Sequence, residues 1–162
     1  MTYLVDSNWL ILALHGEPEA VAFVDALLND GVAINMVIYM EAFQGLDREP
    51  DPERAKAQFQ QLLTQIPVLP FSFAVARRCA SVRETLRDQK KRVNSRALDL
   101  INAATALEYD LVMVTQNIND YQDLVGAVGL KLYQPPVLDK PAAVEPESEP
   151  TISEAAAEDP QP

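Results

Sequence analysis

Three acidic residues stand alone in apolar stretches of the sequence. Asp6 is the only formally charged residue in 1–16, Glu41 the only one in 31–46, and Asp99 the only one in 97–107. An ionised carboxylate removed from water costs several kcal/mol unless it is paired or coordinated. None of these stretches contains a lysine or arginine. The pattern therefore predicts that a cation from outside these stretches compensates the three carboxylates.

The cation that suits such a set is a hard divalent ion. Clustered carboxylates bind Mg²⁺, or Mn²⁺, through oxygen and leave waters in place. Such ions polarise a phosphodiester and activate a water without any histidine. With His15 and Cys79 as the only residues of their types, a zinc centre built from histidines and cysteines and an internal disulfide are both excluded.

Two of the three acids also have simpler explanations. Capping of the helix that follows would be enough to explain Asp6. Asp99 lies in the first turn of a predicted helix, where the helix dipole stabilises a negative charge. Glu41 has neither explanation. The hypothesis of a metal site therefore depends on the three residues as a set.

The elements that position these acids alternate between short β-rich runs and longer helical patterns. This order is typical of an α/β fold with a mainly parallel sheet. The sequence predicts strands at 3–6, 32–35, 68–71, 111–115 and 131–133, and helices at 7–14, 17–28, 37–46, 52–65, 73–91, 96–109 (capped by Ser95) and 119–125. Asp6 and Thr115 end two strands, so both should lie at the carboxyl edge of the sheet, where open α/β folds place their sites.

Charge and composition divide the chain into two parts. It has 162 residues, 13 basic and 24 acidic, with a net charge of −11. Residues 136–162 are mostly Pro, Ala, Ser and Glu with a charge of −6, which predicts a disordered acidic tail. Residues 1–135, at −5, are predicted to form one domain. The N-terminus lacks a basic signal region and no run is long enough to cross a bilayer, so we expect a cytoplasmic protein without a membrane partner.

Four stretches carry a resemblance to a known family. LVDSNWLI, INMVIYMEAFQG, SRALDLINAATALEYDLVMVTQNINDY and GLKLYQPP follow one another within 1–135. In this order they resemble PIN-domain proteins of the VapC toxin type, a family of metal-dependent ribonucleases. The resemblance implies a three-layer α/β/α PIN-like fold, a homodimer, an RNA substrate and a cognate antitoxin as partner protein.

The resemblance also assigns residues. The family's metal-binding acids fall on Asp6, Glu41 and Asp99, the same three that the charge pattern isolates. The family's fourth acidic position falls on Asn117, with Asp120 three residues later, so the predicted catalytic set is Asp6, Glu41, Asp99, Asn117 and Asp120. Taken alone, Asn117 is better explained as a helix cap or turn residue, and Asp120 as a solvated acid at the start of a helix. Ser7, Asn8 and Thr115 match small polar positions that line the site and hydrogen-bond to its ligands.

A basic segment precedes Asp99. Residues 77–96 contain eight bases against two acids. We predict that it binds the RNA backbone, chiefly through Lys90, Lys91, Arg92 and Arg96. A solvated helix face and a contact for an acidic antitoxin are the alternatives.

The favoured function is a Mg²⁺-dependent endoribonuclease that hydrolyses RNA phosphodiester bonds and is the toxin of a toxin-antitoxin pair. The resemblance implies products with 5′-phosphate and 3′-hydroxyl ends. The alternative is a catalytically weak PIN-fold module that binds RNA or protein, because a neutral amide at Asn117 binds a cation less strongly. A phosphatase with an aspartyl nucleophile is disfavoured, because Asn8 stands where a second acid two residues after Asp6 would be needed.

Overall fold

The computed structural model describes residues 2–133, which form a five-stranded sheet flanked by helices. All strand pairs are parallel, and the spatial order is β3-β2-β1-β4-β5. The strands are β1 (Tyr3–Val5), β2 (Val32–Asn35), β3 (Val68–Leu69), β4 (Val112–Val114) and β5 (Leu132–Tyr133). The α/β prediction is therefore confirmed, and all five predicted strands are present.

The helices connect consecutive strands. They are α1 (Ser7–Leu14), α2 (Pro18–Asp30), α3 (Met36–Leu46), α4 (Pro52–Leu62), α5 (Phe73–Asp88), α6 (Ala97–Glu108) and α7 (Gln122–Val128), with 3₁₀ turns at Asn94–Arg96 and Ile118–Asp120. Helix α1 packs on α2, α3 and α4, whereas α5 packs on α6 and α7. Right-handed crossovers place these two groups on opposite faces of the sheet, which gives the predicted three layers.

The central strands are apolar on both faces because helices cover both. Leu4 and Val5 of β1, Ile34 of β2, and Met113 and Val114 of β4 are fully buried, as expected for a parallel sheet between two helical layers. Large side chains from the helices, such as Trp9, complete the core. No helix within residues 2–133 combines the length and apolar character that a membrane span requires.

The strand order reverses direction at the centre of the sheet. The chain steps from β1 to β2 to β3 on one side, and then returns to place β4 beside β1 on the other. In open α/β sheets, the crevice beyond the carboxyl ends of the strands at such a point is where ligands bind. Asp6 follows β1 and Thr115 follows β4, so both lie at this switch point.

Two predicted helix ends are wrong around residues 88–97. Helix α5 ends at Asp88 instead of continuing to Lys91, because Lys90 adopts a left-handed conformation with φ 55°. The N–H of Lys90 bonds to the Arg87 carbonyl at 2.8 Å and that of Lys91 to the Leu86 carbonyl at 2.9 Å, which is a Schellman motif. Ser95 lies within a 3₁₀ turn, so it does not cap α6, whose N-cap position is Arg96.

The predicted acidic tail, residues 136–162, lies outside the described residues. So do Met1 and the last two residues of the predicted domain.

Candidate active site

Asp6 is the most buried acid of the site. It lies directly after β1 and is 7% exposed. Its Oδ1 accepts a hydrogen bond from the Ser7 backbone N–H at 2.8 Å, and its Oδ2 accepts one from Thr115 Oγ1 at 2.6 Å. The first bond makes Asp6 the N-cap of α1, so the capping explanation holds. The second bond goes beyond a cap, because it fixes the carboxylate across the switch point between β1 and β4.

Ser7 joins Asp6 to Glu41. Its Oγ lies 3.4 Å from Asp6 Oδ1 and 3.3 Å from Oε2 of Glu41, which projects from α3. A hydroxyl has a single proton to donate, so it cannot satisfy both carboxylates at once. Burial, and next the nearby charge of Asp6, raise the pKa of Glu41, with a further contribution from Asp99. The two carboxylates therefore repel each other across one shared hydroxyl.

Asp99 reaches the same place from the first turn of α6. Its Oδ1 accepts a hydrogen bond of 3.4 Å from the Tyr121 hydroxyl, which in turn accepts one from Asn102 Nδ2 at 3.4 Å. Burial, and next the charge of Asp120, raise the pKa of Asp99, and Asp6 adds to the effect. The charges of Asp6 and Asp99 thus act on Glu41, and those of Asp120 and Asp6 act on Asp99.

Tyr121 is a site residue that sequence reasoning missed. It is almost fully buried, and burial together with the negative charges of Asp6, Asp99 and Glu41 raises its pKa above the ordinary tyrosine value. Its hydroxyl therefore stays protonated and donates to Asp99 at neutral pH. The only signal in the sequence was its place directly after Asp120.

A second missed feature is a buried amide network that holds α3 against α6. Asn35 Oδ1 caps α3 by accepting from the Ile38 N–H at 2.9 Å. Its Nδ2 donates to Asn102 Oδ1 at 2.9 Å and to Thr105 Oγ1 at 3.0 Å. Because α3 carries Glu41 and α6 carries Asp99, this network fixes the relative position of the two acids.

Asn117 and Asp120 lie together at the rim of the site. The Asn117 backbone N–H donates to Thr115 Oγ1 at 3.0 Å, and its side-chain amide donates to the Asp120 carboxylate. Thr115 thus links Asp6 to Asn117. Asn8 differs from its neighbours, because it is exposed on α1. Within residues 2–133 its side chain makes no hydrogen bond to these acids.

Arg96 lies near the site but is already paired. Arg96 is 8% exposed, and its guanidinium binds both oxygens of Asp123 at 3.0 and 2.9 Å and donates to the Asp120 carbonyl. This burial contradicts the prediction that Arg96 contacts RNA. In the described part of the chain, Asp6, Glu41 and Asp99 take part in no ion pair.

Some of the other basic residues in 77–96 form ion pairs with described residues, whereas others do not. Arg78 pairs with Glu108 and Arg87 with Glu84, each at 3.1 Å. Lys91 Nζ lies 3.9 Å from Asp123. Lys90 and Arg92 are exposed and form no ion pair with any residue between 2 and 133.

Fold and site together define a class: a three-layer α/β protein with an acid-lined crevice at the switch point of its sheet. A sequence model of the PIN domain matches residues 3–124. The chain belongs to the PIN domain family.

Individual relatives agree with this assignment. The chain is 25% identical over 126 residues to the tRNA(fMet)-specific endonuclease VapC of Shigella flexneri, a match that covers 78% of this chain and 94% of that protein. Its fold resembles VapBC2 from Rickettsia felis bound to a promoter DNA fragment (TM-score 0.70, 19% identity) and DNA-bound VapBC from Salmonella typhimurium (TM-score 0.70, 22% identity). Each of these two matches covers 83% of this chain and 98% of the other.

Proposed function

We propose that this protein is a metal-dependent endoribonuclease and the toxin of a toxin-antitoxin pair. The observation that carries the proposal is the convergence of Asp6, Glu41 and Asp99 at the switch point of a PIN fold, where none of the three forms an ion pair with a residue between 2 and 133. Burial and neighbouring negative charges raise the pKa of Glu41 and of Asp99, and perturbed pKa values in a crevice are typical of functional sites.

The donor chemistry fits a hard divalent ion. No group of three or more His, Cys, Asp and Glu side chains within residues 2–133 is already arranged as a metal site. The fit comes instead from the all-oxygen donor set. Burial and, after it, repulsion from neighbouring carboxylates raise the pKa of Glu41 and Asp99, and a bound cation would relieve that repulsion. Asp6, Glu41 and Asp99 would hold Mg²⁺ or Mn²⁺. When bound, such an ion polarises the phosphodiester and activates water.

The other residues of the site act on these acids. Ser7 and Thr115 hold the Asp6 carboxylate through their hydroxyl groups, and Tyr121 holds Asp99. Hydrogen-bonded partners of this kind keep ligating oxygens in a fixed orientation. Asn117 and Asp120 extend the polar surface at the rim, where they would contact the substrate or complete the ligand set.

The substrate and partners follow from the relatives. A tRNA endonuclease and VapBC complexes are among the similar proteins, so we propose RNA as substrate and a cognate antitoxin as partner. We further propose that residues 1–135 form the nuclease domain, that it assembles as a homodimer, and that it acts in the cytoplasm. Lys90, Lys91 and Arg92 would bind RNA phosphates beside the acids.

The test is cleavage of structured and unstructured RNAs in Mg²⁺, with EDTA as the metal-free control. Asp99→Asn should lower the cleavage rate at least about 100-fold, as loss of an essential electrostatic group does, with circular dichroism unchanged. Asp25→Asn makes the same chemical change on the exposed face of α2 and should cleave normally. Cleavage by a folded Asp99→Asn protein at the normal rate would refute the proposal.

Asn117 favours a second candidate, a binding module. A neutral amide replaces an acid at the family's fourth acidic position, and its nitrogen already bonds to Asp120. RNA binding that is independent of metal, with no cleavage of any RNA tested, would support this candidate over the nuclease.

A further inference from the structure

A compact basic surface follows the end of α5. Lys90, Lys91 and Arg92, here called the basic loop, lie in the turn that the left-handed Lys90 creates. Lys90 and Arg92 are exposed, and Lys91 is only partly buried. Neither Lys90 nor Arg92 has an acidic partner within residues 2–133. Their charges are therefore open to an anionic ligand.

The basic loop lies at the same edge of the sheet as the active site. Lys91 Nζ is 3.9 Å from Asp123 at the start of α7. Asp123 also binds Arg96, which donates to the carbonyl of Asp120 at the rim of the site. A ligand on the basic loop would thus lie next to the acidic crevice.

The last described residue, Tyr133, lies at this edge of the sheet as well. It pairs with Val114, the residue before Thr115. Its ring stacks on Phe23 with centroids 6.0 Å apart and meets Tyr3 edge-on at 6.3 Å. The point from which residues 134–162 continue is therefore fixed beside the active site.

The sequence that continues from there is opposite in charge to the basic loop. Segment 145–159 contains six acids and no base: Glu145, Glu147, Glu149, Glu154, Glu158 and Asp159. Eleven residues separate it from Tyr133, enough to span up to about 36 Å when extended. Attachment to the same chain supplies an effective concentration on the order of millimolar.

We propose that segment 145–159 binds the basic loop of its own chain and competes there with the RNA backbone. The carboxylates of the segment bind the side chains that would otherwise bind RNA phosphates. The contact weakens as the salt concentration rises, because salt screens the charges. The contact itself needs no nuclease activity. Only its consequence for RNA rests on the proposed function.

Zero-length carbodiimide crosslinking of the full chain, read by mass spectrometry, tests the contact. The reagent joins a lysine amine to a neighbouring carboxylate. Lys131 and Asp110, 2.5 Å apart and exposed, serve as the internal control. We expect links from Lys90 or Lys91 to the acids of 145–159 at low salt, and their loss at about 1 M salt, where screening falls to a few ångströms.

Mixing isotopically light and heavy protein distinguishes a contact within one chain from a contact between two. Links confined to light-light and heavy-heavy pairs are expected. Links between light and heavy chains, or no tail links while Lys131 and Asp110 still react, would overturn the proposal. Neither result bears on RNA cleavage by Asp6, Glu41 and Asp99, so the two proposals can fail separately.

RNA binding measures the competition. Neutralising the six acids of 145–159 to Gln or Asn in the full chain should tighten RNA binding about threefold to tenfold at low salt, because a tethered competitor is removed. The control neutralises six exposed acids of the body and so makes the same change in net charge: Glu19, Asp25, Asp30, Asp47, Glu53 and Asp110. Equal tightening in both variants would show a net-charge effect and overturn the competition.

Discussion

Two groups of buried and partly buried charges flank the start of α6, and they are built in opposite ways. Arg96 and Asp123 form a two-point ion pair, in which Arg96 also donates to a backbone carbonyl. Asp6, Glu41 and Asp99, on the other side, accept hydrogen bonds from the hydroxyl groups of Ser7, Thr115 and Tyr121 but form no ion pair within residues 2–133. The charge of Arg96 lowers the pKa of Asp99 only in part, since burial and the charge of Asp120 raise it more. The first group forms its ion pair within the chain, whereas the second forms none with residues 2–133, and we propose that a ligand supplies the missing charge.

This difference distinguishes a charge that stabilises the fold from charges that we propose bind a ligand. The paired guanidinium anchors the start of α6 on α7, and interactions with Arg96 hold the pKa of Asp123 below its usual range despite its burial. In the acidic group burial and mutual repulsion raise the pKa of Glu41 and Asp99. Substitutions should therefore destabilise the protein in the first group and stabilise the ligand-free protein in the second.

The largest effect on stability is expected from breaking the paired group. Arg96→Met should lower the free energy of unfolding by about 2–3 kcal/mol, because it leaves Asp123 partly buried without its cation. Urea denaturation measures the change. Arg92→Met, an exposed neighbour, should change it by less than about 0.5 kcal/mol. Equal values for the two variants would mean that the Arg96 pair is not structural.

An intermediate effect is expected at Thr115. Thr115→Val keeps the shape of the side chain but removes the donor to Asp6 and the acceptor of the Asn117 N–H. Loss of a buried bond to a charged group costs about 2 kcal/mol, and RNA cleavage should fall with it. Thr115→Ser retains the hydroxyl and should keep most of the activity. A serine variant as inactive as the valine variant would argue against the hydroxyl as the essential group.

The smallest effect, with the opposite sign, is expected at Glu41. Because its pKa is higher in the folded than in the unfolded protein, the folded state binds more protons between the two values, and its repulsion is fully present only above the raised pKa. Glu41→Gln should therefore stabilise the metal-free protein at pH 7, by at most about 1 kcal/mol after allowance for solvent screening.

This advantage should shrink as the pH falls through the raised pKa of Glu41 toward 4.5, its ordinary value, because the wild-type side chain then becomes neutral too. Thermal unfolding of both proteins across this range measures it. A variant that is less stable than wild type at pH 7 would contradict the repulsion between Asp6 and Glu41.

The acidic group could be predicted from the sequence because Asp6, Glu41 and Asp99 are each the only charged residue in an apolar stretch of the chain. The paired group was missed because Arg96 and Asp123 are 27 residues apart, and nothing local shows that an arginine in a basic segment turns inward. The end of α5 was missed for a local reason: the left-handed position that stops the helix is Lys90, where a glycine would have been the usual signal. The network of Asn35, Asn102 and Tyr121 depends on the packing of α3 on α6, which the sequence does not specify.

We propose that Asp6, Glu41 and Asp99 hold a divalent cation. Thermal unfolding with and without saturating Mg²⁺ or Mn²⁺ tests this claim directly, because a ligand that binds only the folded state stabilises it. Wild type and Asp25→Asn should gain about 2–4 °C or more in Tm, and Asp99→Asn should gain little or nothing. An equal gain in all three proteins, or none in wild type, would contradict the claim.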